Sequence, residues 1–306
     1  MFLFIERNLE VWGIEWAIGW SSRFYYSIIP KEDVGDTTGE PMKITLIIST
    51  YNRPDALKIC LLSAFQQALL PDEIIVGDDG SDISTRNMID SLRNMCPTKL
   101  IHIWHEDKGF RLAKMRNKCI AAATGDYIVE IDGDIIMHRC FIKDHAYFAE
   151  KGFYLRGGRT RLSKKASEKI CDQGKLPSLS IFADVYVSKR ENSLHIPLIA
   201  KVLMNRYRKN SQTVVGCNLS FFRSDAIAVN GYDEYFEGWG GEDFDFARRL
   251  RMLGLKKRYL KFAANEFHLW HRENDMCNLS VNGQYCHRDN LSVRCEKGID
   301  QYLKET

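Results

Sequence analysis

The sequence predicts an α/β fold with a ligand crevice at the ends of parallel strands, and three stretches predict it. Residues 43–80 read strand, helix, strand, with polar turns at the strand ends. Residues 127–131 read as a buried strand that runs into Asp132-Gly133-Asp134. Gly238-Trp239-Gly240-Gly241-Glu242-Asp243-Phe244-Asp245 sets glycines, an indole and acidic side chains ahead of a helical pattern.

The first forty residues stand outside this pattern. Met1 to Ile5 are apolar, but Glu6, Arg7, Glu10 and Glu15 follow too closely for a spanning helix or an ordinary signal peptide. Trp12, Trp16, Trp20, Phe24 and Tyr25 recur at near-helical spacing. Such a stripe suits docking on the protein's own surface, with a membrane interface or a partner as the other occupants. Residues 31–40, with Gly35 and Gly39, read as a linker.

The ordered part opens with a continuous apolar run at 43–49, as in a parallel strand covered on both faces. Thr50-Tyr51-Asn52-Arg53-Pro54 follows, then Leu57, Leu61, Leu62 and Phe65 at helical spacing. A second strand at 73–77 ends in Asp78-Asp79-Gly80-Ser81. This order implies a right-handed crossover, and such units bind ligands beyond their strand C-termini. The strand at 127–131 ends in the same way. With Gly133 between them, Asp132 and Asp134 can converge on one hard divalent cation, Mn²⁺ or Mg²⁺, that bridges to a diphosphate. In 238–245 the glycines free the backbone to take positive φ or approach a ligand, and Trp239 offers a flat face for a sugar ring. Phe246, Leu250 and Leu253 then recur at helical spacing, so Glu242 and Asp243 open a helix whose dipole should help hold them ionised.

Taken together, Ser49-Thr50-Tyr51-Asn52, Asp78-Asp79-Gly80-Ser81, Lys114-Met115-Arg116-Asn117, Asp132-Gly133-Asp134 and Gly238 to Asp243 resemble inverting family 2 glycosyltransferases of GT-A fold. The C-terminal half is similar to the galactosyltransferase-type module of chondroitin polymerases and β-1,4-galactosyltransferases. The resemblance covers residues 43–275. It implies a Rossmann-like nucleotide-binding half with a mixed central sheet, 41–136, fused to an acceptor-binding half, 137–275, with a tail at 276–306. It also implies a UDP-sugar donor. Tyr51 would stack on or border the uracil, Ser49 would line the same pocket, and Asp79 would accept from the uracil N3–H. Lys114 and Arg116 would sit near the ribose and diphosphate, with Trp239 also on the donor side. Asp134, helped by Asp132, would hold the metal. His268 and His271 are both candidates to complete its coordination, and Arg272-Glu273-Asn274 after the second favours His271. Asp243 would be the catalytic base, and Glu242 would orient the acceptor hydroxyls.

The chemistry asks for these groups. A nucleotide sugar departs only if the charge growing on its diphosphate is neutralised, which a metal and Lys or Arg donors accomplish. The acceptor hydroxyl must lose its proton to a carboxylate on the opposite face of the anomeric carbon. Attack from that side inverts the anomeric centre without a covalent enzyme intermediate. The expected acceptor is a glycan or lipid-linked saccharide, as in surface polysaccharide synthesis.

Composition sets the remaining bounds. A chain of 306 residues with 45% apolar content can bury a sizeable core. Nine cysteines without a secretory signal point to reduced thiols and a cytoplasmic location. Cys277, Cys286, His287 and Cys295 lack the close pairing of structural zinc ligands. Residues 156–210 carry 13 Lys/Arg against 4 Asp/Glu, a net +9 in a chain whose net charge is +3. This basic insert faces anionic material, lipid headgroups or an acidic acceptor, or else is a solvated loop. A peripheral contact with the inner membrane face therefore stays open, whereas no nucleic-acid motif accompanies the charge. Two other classes fit the sequence less well. A sugar-nucleotide nucleotidyltransferase should carry a glycine-rich basic loop where this chain has Thr50 to Pro54. A non-catalytic carbohydrate-binding protein would have no use for Asp79, Asp134 and Asp243 together.

Overall fold

The computed structural model describes residues 41–177, 185–206, 216–272 and 278–303. The aromatic stripe and linker within residues 1–40 lie outside the described residues, as do Arg208, Glu273, Asn274 and Cys277.

In chain order the elements are β1 (Ile44–Thr50), α1 (Pro54–Phe65), β2 (Glu73–Asp78), α2 (Ile83–Leu92), β3 (Lys99–Trp104), α3 (Leu112–Ala122), β4 (Tyr127–Asp132), β5 (Ile135–Met137) and α4 (Phe141–Phe148). They continue as β6 (Phe153–Gly157), β7 (Arg159–Leu162), α5 (Lys164–Gln173), β8 (Tyr186–Ser188), α6 (Pro197–Leu203), β9 (Leu219–Phe222), α7 (Arg223–Ala228), α8 (Glu242–Met252), β10 (Lys256–Leu260), β11 (Glu266–His268) and α9 (Leu279–Cys286). Seven strands form a central sheet in the order β10-β6-β9-β4-β1-β2-β3, and four form a second sheet, β5-β11-β7-β8. β1 pairs in parallel with β2 and β4, and β2 with β3. β9 runs antiparallel between β4 and β6, so the central sheet is mixed and draws strands from both halves of the chain.

Every residue of β1 and β2 is buried, and Leu46 to Ile48 and Ile74 to Val76 form the apolar runs at their centres. Alternate side chains of β1 go to opposite layers. Leu46 and Ile48 pack with Leu57 and Leu61 of α1, whereas Ile47 packs with Ala113 and Met115 of α3 and with Phe246 of α8. Each such Ile or Leu contributes roughly 1.5–3 kcal/mol of burial. Gly77 lets α3 lie close on β2, because a Cβ there would meet Cys119 Sγ at 2.6 Å and Met115 Cγ at 2.9 Å. Register fixes the business edge of the sheet: Ser49 lies opposite Asp132, and Thr50 opposite Asp78.

Two expectations need correction. Leu253 is not part of the buried stripe of α8; the helix ends at Met252, and Leu253 is 38% exposed past its end. The basic insert does not start as a solvated loop, because Arg156 is a buried residue of β6 and the chain continues through β7 and α5. The C-terminal tail is folded onto the glycine-rich run: the Asn282 side chain donates to the carbonyls of Glu237 and Gly240, at 3.1 and 2.9 Å.

Candidate active site

The C-terminal ends of β1, β2 and β4 deliver three groups of side chains to one edge, and loops and α8 bring the rest. The first group is the predicted base pocket. Ser49 is buried with its hydroxyl unpartnered. Tyr51, half-exposed, donates its hydroxyl to Asp107 at 2.8 Å, and that bond raises its pKa. Asp79 is buried and accepts from His105 Nε2 at 2.5 Å and from the Arg111 N–H at 2.8 Å. A nucleobase donor would therefore share a carboxylate that is already positioned by two partners. Burial pushes Asp78 upward, but hydrogen bonds from His102 and Ser81 more than offset it and hold this carboxyl below its ordinary range.

Lys114 and Arg116 are not brought together. Two positions apart on a helix, they project about 200° apart. Lys114 lines a small polar surface pocket with Arg111, Glu234, Glu237 and Lys297. Arg116 points inward, 2% exposed, and its guanidinium lies 2.7 Å from Glu130, 3.2 Å from Glu242 and 3.5 Å from Asp132. This arginine is thus a buried clamp between the end of β4 and the start of α8. Burial raises Glu130 to about 7, against the pull of Arg116 and of the Tyr232 hydroxyl, which donates to it at 2.8 Å.

The third group surrounds Asp134. His268 Nε2 lies 3.5 Å from its Oδ1 and His271 Nε2 lies 3.6 Å from its Oδ2. One donor atom from each of the three residues falls within 4.8 Å of the others. Oδ1 is buried without a hydrogen bond, and Arg53 pairs with Oδ2 at 2.9 Å. His271 gives its Nδ1 to the Arg272 carbonyl at 2.7 Å, which leaves Nε2 facing the carboxylate. Burial and then Arg159 push His268 down to about 3, so its imidazole is neutral and keeps a lone pair. These groups fit a divalent cation, and two imidazoles with one carboxylate suit Mn²⁺ better than Mg²⁺, which favours oxygen. Asp132 is outside this triad and faces Arg116 instead. Burial raises it, with Arg116 opposing and Asp134 adding to the rise.

α8 begins at Glu242, after Gly238, Gly240 and Gly241 with φ of +76°, +91° and +104°, a backbone path that requires glycine. Trp239, 38% exposed, stands on this loop. Asp243 accepts from the Gly216 N–H at 3.0 Å and the Phe244 N–H at 2.7 Å. Burial works against the expected ionisation of the acidic pair at the helix start. Burial first, and then the charge of Asp243, raise Glu242 to about 7. Burial also raises Asp243, against Arg116 and its two backbone donors. Desolvation outweighs the helix dipole, which is worth about 1 kcal/mol at exposed sites.

Sequence reasoning assigned no role to four residues of the site. Arg53 stands in the Thr50 to Pro54 turn after β1, so its position is visible in the sequence. Glu130 was hidden in a strand. Glu266 is fully buried and takes the Cys217 thiol at 3.2 Å, and Arg159 donates to that sulfur at 3.7 Å; neither had a local pattern.

A mixed sheet whose parallel strands end in Asp78-Asp79 and Asp132-Gly133-Asp134, with acids from a second half facing them, defines a GT-A fold. The profile of Glycosyl transferase family 2 matches residues 45–227, and that of the N-terminal domain of galactosyltransferase matches 197–272. The chain belongs to glycosyl transferase family 2. Validoxylamine A glucosyltransferase of Streptomyces hygroscopicus subsp. limoneus is 25% identical over 72% of this chain and 50% of its own length. Chondroitin synthase of Escherichia coli is 26% identical over 72% of this chain and 34% of its own. The chain thus spans half or less of the length of these curated relatives. Among solved structures, S. aureus TarS 1-349 in complex with UDP-GlcNAc superposes with a TM-score of 0.52 at 19% identity, covering 77% of this chain and 60% of that one. Mannosyltransferase PcManGT from Pyrobaculum calidifontis, in complex with GDP-Man and Mn²⁺, gives 0.52 at 15%, covering 85% and 68%.

Proposed function

We propose that this protein transfers a sugar from a UDP-sugar to a hydroxyl of a glycan or lipid-linked saccharide, with inversion and with a divalent cation, Mn²⁺ by preference. The observation that supports it best is the Arg116 clamp, which gathers Asp132 from the donor side and Glu242 from the acceptor side around one guanidinium. A donor at the strand ends and an acceptor at α8 would then meet across a few ångströms.

In this reading Tyr51, Ser49 and Asp79 receive the base. Asp134, His268 and His271 hold the cation, which when bound neutralises charge on the departing diphosphate. Arg53, now paired with Asp134, would be freed to face that diphosphate. Asp243 takes the acceptor proton, with the Gly216 and Phe244 N–H groups fixing its carboxylate, and Glu242 orients the sugar hydroxyls against Trp239. The raised pKa of the acidic pair makes it more basic than a surface carboxylate, as a general base near neutral pH requires.

The test is a panel of UDP- and GDP-sugars with Mn²⁺, followed for slow hydrolysis and then for transfer to saccharide acceptors. Turnover of a UDP-sugar that stops in excess chelator is expected. Turnover of GDP-sugars alone would overturn the donor, and full activity in chelator would overturn the cation.

A further inference from the structure

The opposite end of β5 carries a second cluster of metal-type donors. His138 and Cys140 follow the strand, and His195 reaches them from the segment before α6. One donor atom from each lies within 4.8 Å of the others, with His195 buried and the other two half-buried. Asp134 and His138 are separated by β5, so at about 3.3 Å per residue the two clusters are about 13 Å apart. We propose that His138, Cys140 and His195 form a site for a zinc-type ion, separate from the triad at Asp134, that ties the segment before α6 to the core.

The surroundings are those of a built site. Asp144, fully buried, faces His195 Nε2 at 2.9 Å and is itself fixed by the Ala264 N–H at 2.8 Å. A carboxylate on one ring nitrogen sets the tautomer and turns the other, Nδ1, into the metal-facing donor. The loop holding His138 and Cys140 is braced from both sides. Gln67 donates to the His138 carbonyl and accepts from the Ile142 N–H, each at 3.0 Å, and the His138 N–H donates to Asn265 at 3.0 Å. Asn265 in turn donates to the Leu194 carbonyl at 2.9 Å, next to His195. Burial keeps His138 neutral, with its pKa near 4.

The donor set chooses the ion. Thiolate with two imidazoles selects zinc over the hard Mn²⁺ and Mg²⁺ that carboxylates prefer. Bonds of about 2.0 Å to nitrogen and 2.3 Å to sulfur require the three groups to close in slightly. The two imidazoles are stacked at 4.4 Å between centroids, and with His195 held by Asp144 it is the half-buried His138 ring that turns about its soft torsion toward the ion. His138 Nδ1 now accepts from the Cys140 N–H at 3.2 Å, a long bond that gives way to the ion. Burial pushes the Cys140 thiol up to about 11, so uptake of one ion releases one thiol proton to solvent and leaves a metal-bound thiolate. Solvent completes the fourth position.

The experiment uses the full chain carrying Asp134→Asn, which takes the carboxylate from the other cluster and leaves it two imidazoles and no thiolate. Titration with Zn²⁺ and Co²⁺ is expected to load about one equivalent, and cobalt should give a thiolate charge-transfer band and tetrahedral d–d absorption. Adding Cys140→Ala should abolish the band and weaken binding at least tenfold, with the thermal midpoint of the metal-free protein little changed. Should that variant fold poorly, the cobalt spectrum of the Asp134→Asn protein decides by itself. No uptake at tens of micromolar ion, uptake without a thiolate band, or binding indifferent to Cys140→Ala would each overturn the site.

Discussion

Asp243 carries the sharpest residue-level expectation. Asp243→Asn keeps the shape and removes the basicity; its single amide oxygen retains only one of the two backbone hydrogen bonds, which reach different carboxylate oxygens, and transfer should fall roughly 10²–10⁴-fold while UDP-sugar affinity hardly moves. Collapse of donor binding together with turnover would make it a structural group. The pH profile follows from the raised acids. Below neutrality the Glu242–Asp243 pair keeps a proton, and its basic form grows as pH rises, with Glu242 near 7. The transfer rate should therefore climb between pH 5.5 and 8, and a rate constant down to pH 5 would contradict the assignment. Arg53 carries the next expectation. Its guanidinium pairs with Asp134, where the proposed cation would bind, with its own side chain 30% exposed. Such a pair is worth up to about 1 kcal/mol, so Arg53→Met should tighten Mn²⁺ binding to the donor-free protein roughly two- to fivefold, read by calorimetry. Weaker binding would show that Arg53 supports the metal triad instead. At this scale the sequence disclosed acids at strand ends and little about their neighbours. Asp79, Asp134 and Asp243 announce themselves through glycine and turn chemistry. Arg116 reads as any helical arginine until Glu130, Asp132 and Glu242 are folded around it, and burial of the acidic pair depends on the same long-range packing.

Elements differ in legibility for a physical reason. β1, β2 and β4 are central strands covered on both faces, so each carries a short run of Ile, Leu or Val, with Glu130 of β4 as a charged interruption. β7, β8, β10 and β11 have three to five residues each and carry charged or polar side chains, and their pairing depends on partners far along the chain. α3 shows how an element serves the site. Gly77 lets it sit close on β2, and that seating sends Arg116 toward Glu130 and away from water. Removing the guanidinium leaves a buried carboxylate unpaired, so Arg116→Met should cost about 3–5 kcal/mol. The sign of its pH dependence is fixed by Glu130. Its folded pKa, near 7, exceeds its unfolded value, and the loss of Arg116 raises it further, so a proton offsets the missing charge at low pH. The penalty should be larger at pH 8 than at pH 6 in urea unfolding, and an equal penalty at both would exclude Glu130 as its origin.

For the whole molecule, charge distribution makes the next prediction. No helix among the described residues is long and apolar enough to cross a membrane. Lys164 and Lys165 open α5, where the first lies 4.9 Å over the exposed Trp270 ring beside the metal triad. If the basic segment engages lipid or acceptor, neutralising Lys164, Lys165 and Arg206 should reduce binding to anionic vesicles or acceptor, with donor hydrolysis nearly unchanged. Unaltered binding would make these side chains a solvated face. The antiparallel strand β9 has a different bearing. It lies within 197–227, the stretch claimed by both family profiles, and it sits between β4 and β6 in the middle of the sheet. There Tyr127 and His145 each hydrogen bond the Ser220 hydroxyl at 2.8 Å, sealed from water. Grafting a relative's C-terminal half onto this N-terminal half would therefore thread a foreign strand through the centre of the hybrid. The graft must bring a hydroxyl at the Ser220 position or strand that phenol, so if Trp239 and the acids after it serve as proposed, exchanging the loop at 238–245 should change specificity more readily than exchanging halves.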